Sequence, residues 1–371
     1  MSTIEAAWWQ GEAKLRHPSK RWPSRVFWGA GEVYRHGDRS PLSTYPTDPH
    51  KAAAWPHGFQ QLSEVGILQQ KALGKFLRER YAGFLSPSYK PQEIYVRSTD
   101  YDRTIMSAQA NLMGLYPNSH PEIPWKPVPI HTVPAKYDKY FNYFCFPLLQ
   151  GFMEKMANYT GLKSEQLTLR GLWKVHDTLF CQKTHNMSLP SWATAQVLAT
   201  LSEIEMFNIE AHVGMHAAQE KARFIGGLLL GAILSNFSKM VCQDLPLKMI
   251  MYSAHDSTLI ALQAALGVYN GHLPPYAACH GFEFYQESNN VAMFYRNRSD
   301  QRPHILPLPG CPMPCPLPLF IHLTRTAIPK DWDAECQNPQ SGPGHAVIAL
   351  AAAVGVLSVA LLGMGVLYWR R

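Results

Sequence analysis

The feature that most limits what this chain can fold into is an uninterrupted apolar segment near its carboxyl end. The 24 residues from Ala346 to Trp369 include no charged side chain, and Ser358 is their main polar interruption. In a helix, at ~1.5 Å per residue, they extend about 36 Å, enough to cross the hydrocarbon layer of a bilayer with some tilt. A buried core helix of that length would show a polar face. The segment therefore predicts a transmembrane helix at 346–369.

The residues around this segment predict its orientation. Arg370 and Arg371 follow it directly, and positive residues stay on the cytosolic side. The chain is then a single-pass type I membrane protein with a cytoplasmic stub at 370–371, a juxtamembrane linker at 333–345, and a lumenal or extracellular body. Seven cysteines and four glycosylation sequons suit that oxidising side of the membrane: Asn158, Asn186, Asn236 and Asn297.

The amino end gives a conflicting indication. Residues 1–24 form a divergent segment with no continuous apolar stretch that could act as a signal peptide. Either the true start precedes Met1 or the last helix directs insertion. Because no tail with a tyrosine-based sorting signal follows the predicted helix, a specifically lysosomal address is not expected.

The body between these ends has the composition of a globular domain. Of 371 residues, 46% are hydrophobic and 16% are charged, so a sizeable core can form. Lys+Arg 34 exceeds Asp+Glu 27, giving +7, but the excess is scattered along the chain and predicts no nucleic-acid partner. The middle of the chain, about 138–238, is mostly helical in pattern and poor in strands, which predicts an inserted helical subdomain.

Short apolar runs followed by helical patterns indicate an α/β fold. Glu93–Arg97 and Leu247–Tyr252 are rich in strand formers, and each precedes small polar residues and then a helix, as in parallel sheets. Ser63 can cap one helix, and Asp256 or Ser257 can cap another. We therefore expect parallel strands that lead directly into helices.

The residues with the most specific chemistry lie in Tyr34–Pro41, which reads Tyr-Arg-His-Gly-Asp-Arg-Ser-Pro. Arg35 and Arg39 flank His36. The glycine allows a close turn, and the proline stiffens the exit. Such a loop can present two guanidiniums and an imidazole to phosphate, and a neutral imidazole can attack phosphorus to form a phosphohistidine. Taken alone, the motif is also compatible with a solvated basic turn.

A second motif far downstream makes the first more specific. Arg35-His36-Gly37-x-Arg39-x-Pro41, together with Ser253-Ala254-His255-Asp256, resembles the signature of the histidine acid phosphatases. The likeness runs from about Tyr34 to Trp332 and is greatest to the membrane-anchored members of that family. Further matching blocks lie at 95–104, 173–181 and 275–279.

The resemblance implies a fold and a set of roles. The fold would be a phosphoglycerate-mutase-like α/β core at 25–332 into which the helical cap is inserted. The resemblance implies no metal or cofactor. A homodimer is expected by resemblance only. His36 would be the nucleophile, and Asp256 would donate a proton to the leaving group. Four residues would clamp the phosphoryl group: Arg35, Arg39, Arg97 and His255. Arginines that keep His36 neutral, and an Asp256 protonated by acid, would together give activity at low pH.

Disulfides are likewise implied by the resemblance. It pairs Cys181 with Cys279 and Cys311 with Cys315, while the partners of three cysteines stay open: Cys145, Cys242 and Cys336. His212 and His216 are spaced four apart on a predicted helix and could hold zinc. Because no third ligand is evident, no metal site is predicted there.

The chain departs from the family pattern in ways that leave alternatives open. Val26–Val33, expected to be a buried central strand, contains two glycines and Glu32. The segment Pro134–Asn158 is shorter than its counterpart. The main hypothesis is an acid phosphatase that hydrolyses phosphate monoesters, on small molecules or phosphopeptides. One alternative is an inactive membrane-anchored variant or binding protein; a mutase of the same fold is disfavoured by the membrane span and the His-Asp pair.

Overall fold

The computed structural model of the protein describes residues 27–117, 127–135, 138, 150–213, 218–243, 246–285, 288–332 and 335. No helix within these ranges is long and apolar enough to span a membrane. The predicted transmembrane helix at 346–369 and the segment 1–24 both lie outside the described residues.

A mixed eight-stranded sheet forms the centre of the described chain, and residues with strand propensity build it. The strands are β1 (Phe27–Arg35), β2 (Ile94–Thr99), β3 (His131–Val133), β4 (Met249–Ala254), β5 (Cys279–Tyr285), β6 (Asn290–Arg296), β7 (His304–Leu306) and β8 (Cys315–Pro316). They lie in the order β3-β2-β4-β1-β5-β6-β7, with β8 on β6. The strands from β3 to β1 are parallel, whereas β5 to β8 pair antiparallel. The two parallel strands predicted from sequence, β2 and β4, are confirmed, and they lie next to each other in the sheet.

Helices cover the sheet and form the inserted subdomain. They are α1 (Glu64–Arg80), α2 (Asp102–Leu115), α3 (Gln150–Thr160), α4 (Leu169–Thr184), α5 (Ala195–Val213), α6 (Ala218–Gln243), α7 (Asp256–Ala265) and α8 (Leu317–Thr324). Ser63 caps α1 by accepting from the Gly66 N–H, as predicted. The cap predicted for α7 is wrong by one residue, because the helix already begins at Asp256 and its cap is His255.

Apolar side chains form a separate cluster on each face of the sheet. Val33 and Phe282 pack with α6 and α7 on one face, and Ala30 and Tyr34 pack with α1 and α2 on the other. A third cluster joins α3, α4 and α5 to Tyr45. The carboxyl half of α6 contributes buried side chains to the first cluster, so this end of the predicted cap at about 138–238 packs against the sheet. The other predicted domain boundaries stay predictions.

The unusual first strand takes the central place in the sheet, between β4 and β5. A Cβ at Gly29 would lie 2.7 Å from Met240 Sδ, so a bare backbone there lets α6 pack close. The Glu32 carboxylate is fully buried and accepts hydrogen bonds from Tyr81 Oη at 2.5 Å and Cys279 Sγ at 3.1 Å. Met240 packs over Gly29, and the Glu32 carboxylate is hydrogen-bonded. The altered first strand therefore gives no support to the alternative that this chain is an inactive variant.

Candidate active site

The two sequence motifs meet at the carboxyl ends of neighbouring parallel strands. Arg35 ends β1 and His255 follows β4, and the His36 N–H donates to the Ala254 carbonyl at 3.0 Å. The imidazole centroids of His36 and His255 are 5.6 Å apart. The parallel pairing of these two strands therefore brings together residues more than two hundred positions apart in sequence. They meet beyond the carboxyl ends of the strands, where open α/β sheets bind ligands.

Gly37 holds the turn after His36 against the first two helices. Its N–H donates to Ser107 Oγ on α2 at 3.0 Å. A Cβ at Gly37 would lie 2.4 Å from the carbonyl oxygen of Gly66 on α1. Only glycine fits this contact, so the loop that carries the histidine is fixed by close packing.

The His36 imidazole is held in one tautomer. Its Nδ1 lies 2.7 Å from the Gly37 carbonyl oxygen, which can only accept, so Nδ1 carries the proton. Burial lowers the pKa of His36 well below its usual value, and the positive charges of neighbouring arginines act in the same direction. A neutral ring protonated on Nδ1 has a free lone pair on Nε2, which is the requirement for a nucleophile.

Two of the predicted clamp residues are fixed by carboxylates. Arg35 donates to Asp256 Oδ2 at 2.8 Å and to the Pro274 carbonyl at 2.5 Å. Arg39 makes a two-point ion pair with Asp177 of α4, at 3.0 and 3.2 Å. Both guanidiniums are buried, so these pairs fix their positions closely.

Arg103, six residues after the predicted Arg97, is a third arginine whose charge acts on both histidines of the site. Arg103 is among the charges that lower the pKa of His36, and it also acts on His255. Arg97 instead pairs with Asp138 at 3.1 Å. The structure therefore favours Arg103 over the predicted Arg97 as the third clamp residue, and the sequence pattern around Arg103 did not predict this. Both lie in one matching block, 95–104, and only the bend between β2 and α2 separates them.

Three of the arginines whose charges act on His36 have a buried donor without a partner in the ranges that the structure describes. The Nε atoms of Arg35, Arg39 and Arg103 have no hydrogen-bond acceptor among the described residues. Burial of an unpaired donor is costly, and the cost is larger when the group is charged. An anion with several oxygens, such as a phosphoryl group, would satisfy such donors.

The expected state of Asp256 needs correction. Burial raises the pKa of Asp256, but Arg35 and His255 outweigh that effect, and the net pKa lies below the usual value. The free site therefore holds a carboxylate at Asp256 in mild acid, where a protonated group was expected. Burial lowers the pKa of His255 to about 3, so that imidazole is neutral over the same range.

Aromatic rings border the site. Tyr276 lies 5.7 Å from His36 by ring centroids, and its ring is 4.3 Å from the guanidinium carbon of Arg35. Phe180, 48% exposed, is 6.4 Å from Tyr276, and Tyr101 is 5.4 Å from His255. These rings form an apolar rim. The sequence around these residues carries no signal for such a role, because each follows an unremarkable pattern in its own element.

The cysteines behave differently from one another. Cys311 and Cys315 form the predicted disulfide, with Cα atoms 5.5 Å apart. The predicted bond between Cys181 and Cys279 is absent, since both are free and buried. Each thiol has another neighbour: Cys279 donates to Glu32, and the sulfur of Cys181 lies 3.9 Å from Nη1 of Arg39. Cys145 and Cys336 lie outside the described residues, as does His216 of the histidine pair, so the prediction of no metal there stays a prediction.

The sequons differ in accessibility. Asn158 and Asn186 are exposed, and Asn297 is half-buried. Asn236 lies in the middle of α6, and its Nδ2 donates to Tyr252 Oη at 3.4 Å. Glycosylation at Asn158 and Asn186 is compatible with this fold, whereas Asn236 is poorly presented.

Comparisons with known proteins agree with the geometry. The chain matches the histidine phosphatase superfamily (branch 2) over residues 30–142 and 137–302. It is 50% identical to the testicular acid phosphatase of Mus musculus, over 91% of this chain and 89% of that protein. It is 46% identical to the lysosomal acid phosphatase of Homo sapiens, over 87% of this chain and 82% of that protein. Among solved structures, a Hafnia alvei phytase in complex with tartrate covers 87% of this chain and 100% of its own, with 17% identity and a TM-score of 0.61, which shows a shared fold.

Proposed function

The chain belongs to branch 2 of the histidine phosphatase superfamily and is a phosphatase, and from this premise we propose that it hydrolyses phosphate monoesters through a phosphohistidine on Nε2 of His36. The observation that carries the proposal is the contact of His36 Nδ1 with the Gly37 carbonyl, which leaves the Nε2 lone pair free. Burial and the arginines favour the neutral ring, and within the described part of the chain the Nε donors of three buried arginines have no acceptor. Positive charge for the transferring phosphoryl group would come from these guanidiniums, without a metal.

The first step would transfer the phosphoryl group to the enzyme. The Nε2 lone pair of His36 attacks phosphorus, and the bond from phosphorus to the ester oxygen breaks. Asp256, at the start of α7, gives its proton to the departing alcohol. Water then attacks phosphorus, the bond from phosphorus to Nε2 breaks, and the water gives a proton to the Asp256 carboxylate. Phosphate leaves, and Asp256 returns to the carboxylate of the free enzyme when it releases that proton to solvent.

Asp256 must acquire a proton before the first step. In the free site its carboxylate is paired with Arg35 at 2.8 Å. A bound phosphoryl group would compete for the same guanidinium and add negative charge nearby, and both effects raise the pKa of the carboxyl. Substrate binding and mild acid would together supply the proton.

The proposed compartment and substrate are supported by the apolar segment 346–369, the exposed sequons and the aromatic rings beside the site. We place the catalytic domain on the lumenal or extracellular side, anchored by 346–369, and the exposed sequons Asn158 and Asn186 are compatible with that placement. The apolar rim near Tyr276 suits a phosphate ester with a flat or apolar leaving group, whether a small molecule or a phosphopeptide.

The proposal is tested by the dependence of rate on the leaving group. Asp256→Asn keeps the nucleophile but has no proton to give, so cleavage of alkyl phosphates should slow by about 100-fold or more. Activated aryl phosphates, which depart as anions, should be far less affected. Asp102→Asn, a carboxylate at the first turn of α2, is the control and should slow both classes little or not at all. Equal slowing of both classes by Asp256→Asn would reject Asp256 as the acid.

A further inference from the structure

Asp177 is a buried carboxylate to which the proposed mechanism gives no role. It lies on α4 in the inserted helices, yet both of its oxygens bind Arg39, 138 positions away in sequence. Oδ1 accepts from Nη2 at 3.0 Å, and Oδ2 accepts from Nη1 at 3.2 Å. A two-point ion pair of this kind sets both the position and the rotation of a planar guanidinium.

The bonds of Arg39 determine which of its edges stays open. A guanidinium carries five N–H groups in one plane. Asp177 takes one from each terminal nitrogen, and the Ser40 carbonyl accepts another from Nη1 at 3.1 Å. The two that remain are on Nη2 and on Nε, and Nε is buried without a partner in the described part of the chain. The end of the guanidinium, formed by Nη1 and Nη2, is therefore occupied by Asp177. The side edge, formed by Nε and the second N–H of Nη2, stays open to a ligand.

Asp177 also holds the backbone of the same loop. Its Oδ2 accepts from the Leu42 N–H at 2.9 Å, three residues after Arg39. One carboxylate thus binds the guanidinium and the chain that carries it. We infer that Asp177 is a positioning residue for catalysis: it turns Arg39 so that the edge bearing Nε faces the phosphoryl group bound at His36.

This inference rests on the proposed function and makes a kinetic prediction of its own. Asp177→Asn keeps an oxygen for the Leu42 N–H but turns an NH₂ group or a neutral oxygen toward Arg39. Removal of the negative charge of Asp177 does not weaken the attraction between the site and the substrate anion. Because substrate binding is preserved, KM should change less than about threefold. Alignment with the transition state is lost, so kcat should fall by about 10- to 100-fold.

A double-mutant cycle separates this role from a general structural one. Asp177→Asn, Arg39→Lys and the double variant are compared by kcat with an aryl phosphate, using the glycosylated full chain. If Asp177 acts through Arg39, the double variant should be no slower than Arg39→Lys alone. A double variant slowed by the product of the two single effects would overturn the inference, as would a wild-type kcat for Asp177→Asn.

Gln182→Ala is the matched control. Gln182 is buried on the same helix and donates to Asp48, so it joins α4 to the same loop without contacting Arg39. Its loss should leave kcat within about threefold of wild type. A loss of kcat as large as that of Asp177→Asn would show that loosening α4 is enough and would reject the positioning role.

Two further measurements keep the test decisive. If Asp177→Asn does not fold, Asp177→Glu keeps the charge but displaces the carboxylate by one methylene; kcat should still fall at least tenfold, and a wild-type kcat would reject the inference. Turnover by the wild-type chain is measured alongside. An inactive wild type defeats the proposed function, whereas an active wild type with an additive cycle defeats only the role of Asp177.

Discussion

The buried glutamate in β1 should contribute more to the stability of the folded protein in acid than at neutral pH. Glu32 is fully buried. The groups that face it are Arg80 at the end of α1, Tyr81 directly after that helix, and Cys279 and Glu283 from β5. Arg80 is already paired with Glu283 at 2.6 Å, so one cation serves two carboxyl groups. Burial raises the pKa of Glu32 to about 7, and Glu283 acts in the same direction, while the hydrogen bonds from Tyr81 and Cys279 lower it.

The sign and the size of the effect follow from this shift. The pKa of Glu32 is about 7 in the folded protein against 4.5 for an unperturbed glutamate. Between these values the folded chain keeps a proton that the unfolded chain releases, so the free energy of unfolding falls as pH rises through that window. A shift of this size corresponds to about 3 kcal/mol, present in full below about pH 4.5 and lost by about pH 7.

Urea unfolding of the wild type and of Glu32→Gln measures this effect. Glutamine has nearly the same shape and keeps an acceptor for Tyr81, but it does not titrate. The stability of wild type relative to the variant should therefore fall by about 3 kcal/mol between pH 4.5 and 7. A difference that stays flat over this range would refute the reasoning. Glu93→Gln is the control: burial opposes the shift, but bonds from Ser86 and Lys248 lower the pKa of Glu93, so its stabilising contribution should be lost only as pH falls.

Two more predictions concern the site. Arg103→Ala should lower kcat with an aryl phosphate by about 100-fold or more, because it removes a positive charge that acts on His36. Arg97→Ala, which removes the partner of Asp138, should lower kcat less than tenfold. If steady-state assays give the reverse order, Arg97 is the clamp residue. Gly37→Ala should place a Cβ 2.4 Å from the Gly66 carbonyl oxygen. This clash should lower the free energy of unfolding, measured by thermal unfolding, by about 1–3 kcal/mol and should sharply reduce turnover. Unchanged stability would show that the loop can move away from α1.

The fold and the site are predictable from the sequence where the local pattern of residues also determines their place in the structure. The runs that became β2 and β4, the cap at Ser63 and the loop after β1 are all determined within about ten residues. The phosphate-directed loop could be recognised because its arginines and histidine are adjacent in the chain.

Contacts between side chains from distant elements are not predictable from the sequence in this way. Arg97 and Arg103 are six residues apart, and only the contact of Arg97 with Asp138 and the turn into α2 place one outside the site and the other inside. The bond between Asp177 and Arg39 joins elements with no shared motif. Cys279 was expected to pair with Cys181, but the antiparallel register of β5 on β1 places it beside a buried carboxylate that the family pattern does not predict.

The central claim is that His36 carries the phosphoryl group, and trapping that group tests it most directly. The full glycosylated chain is mixed briefly with a labelled aryl phosphate at acid pH and quenched in alkali, where phosphohistidine survives. The wild type, and His131→Gln on the exposed edge strand β3, should retain a label that acid then removes. His36→Ala should retain no label and show no turnover. Turnover by the wild type without such a label, or a label that persists in His36→Ala, would contradict the account.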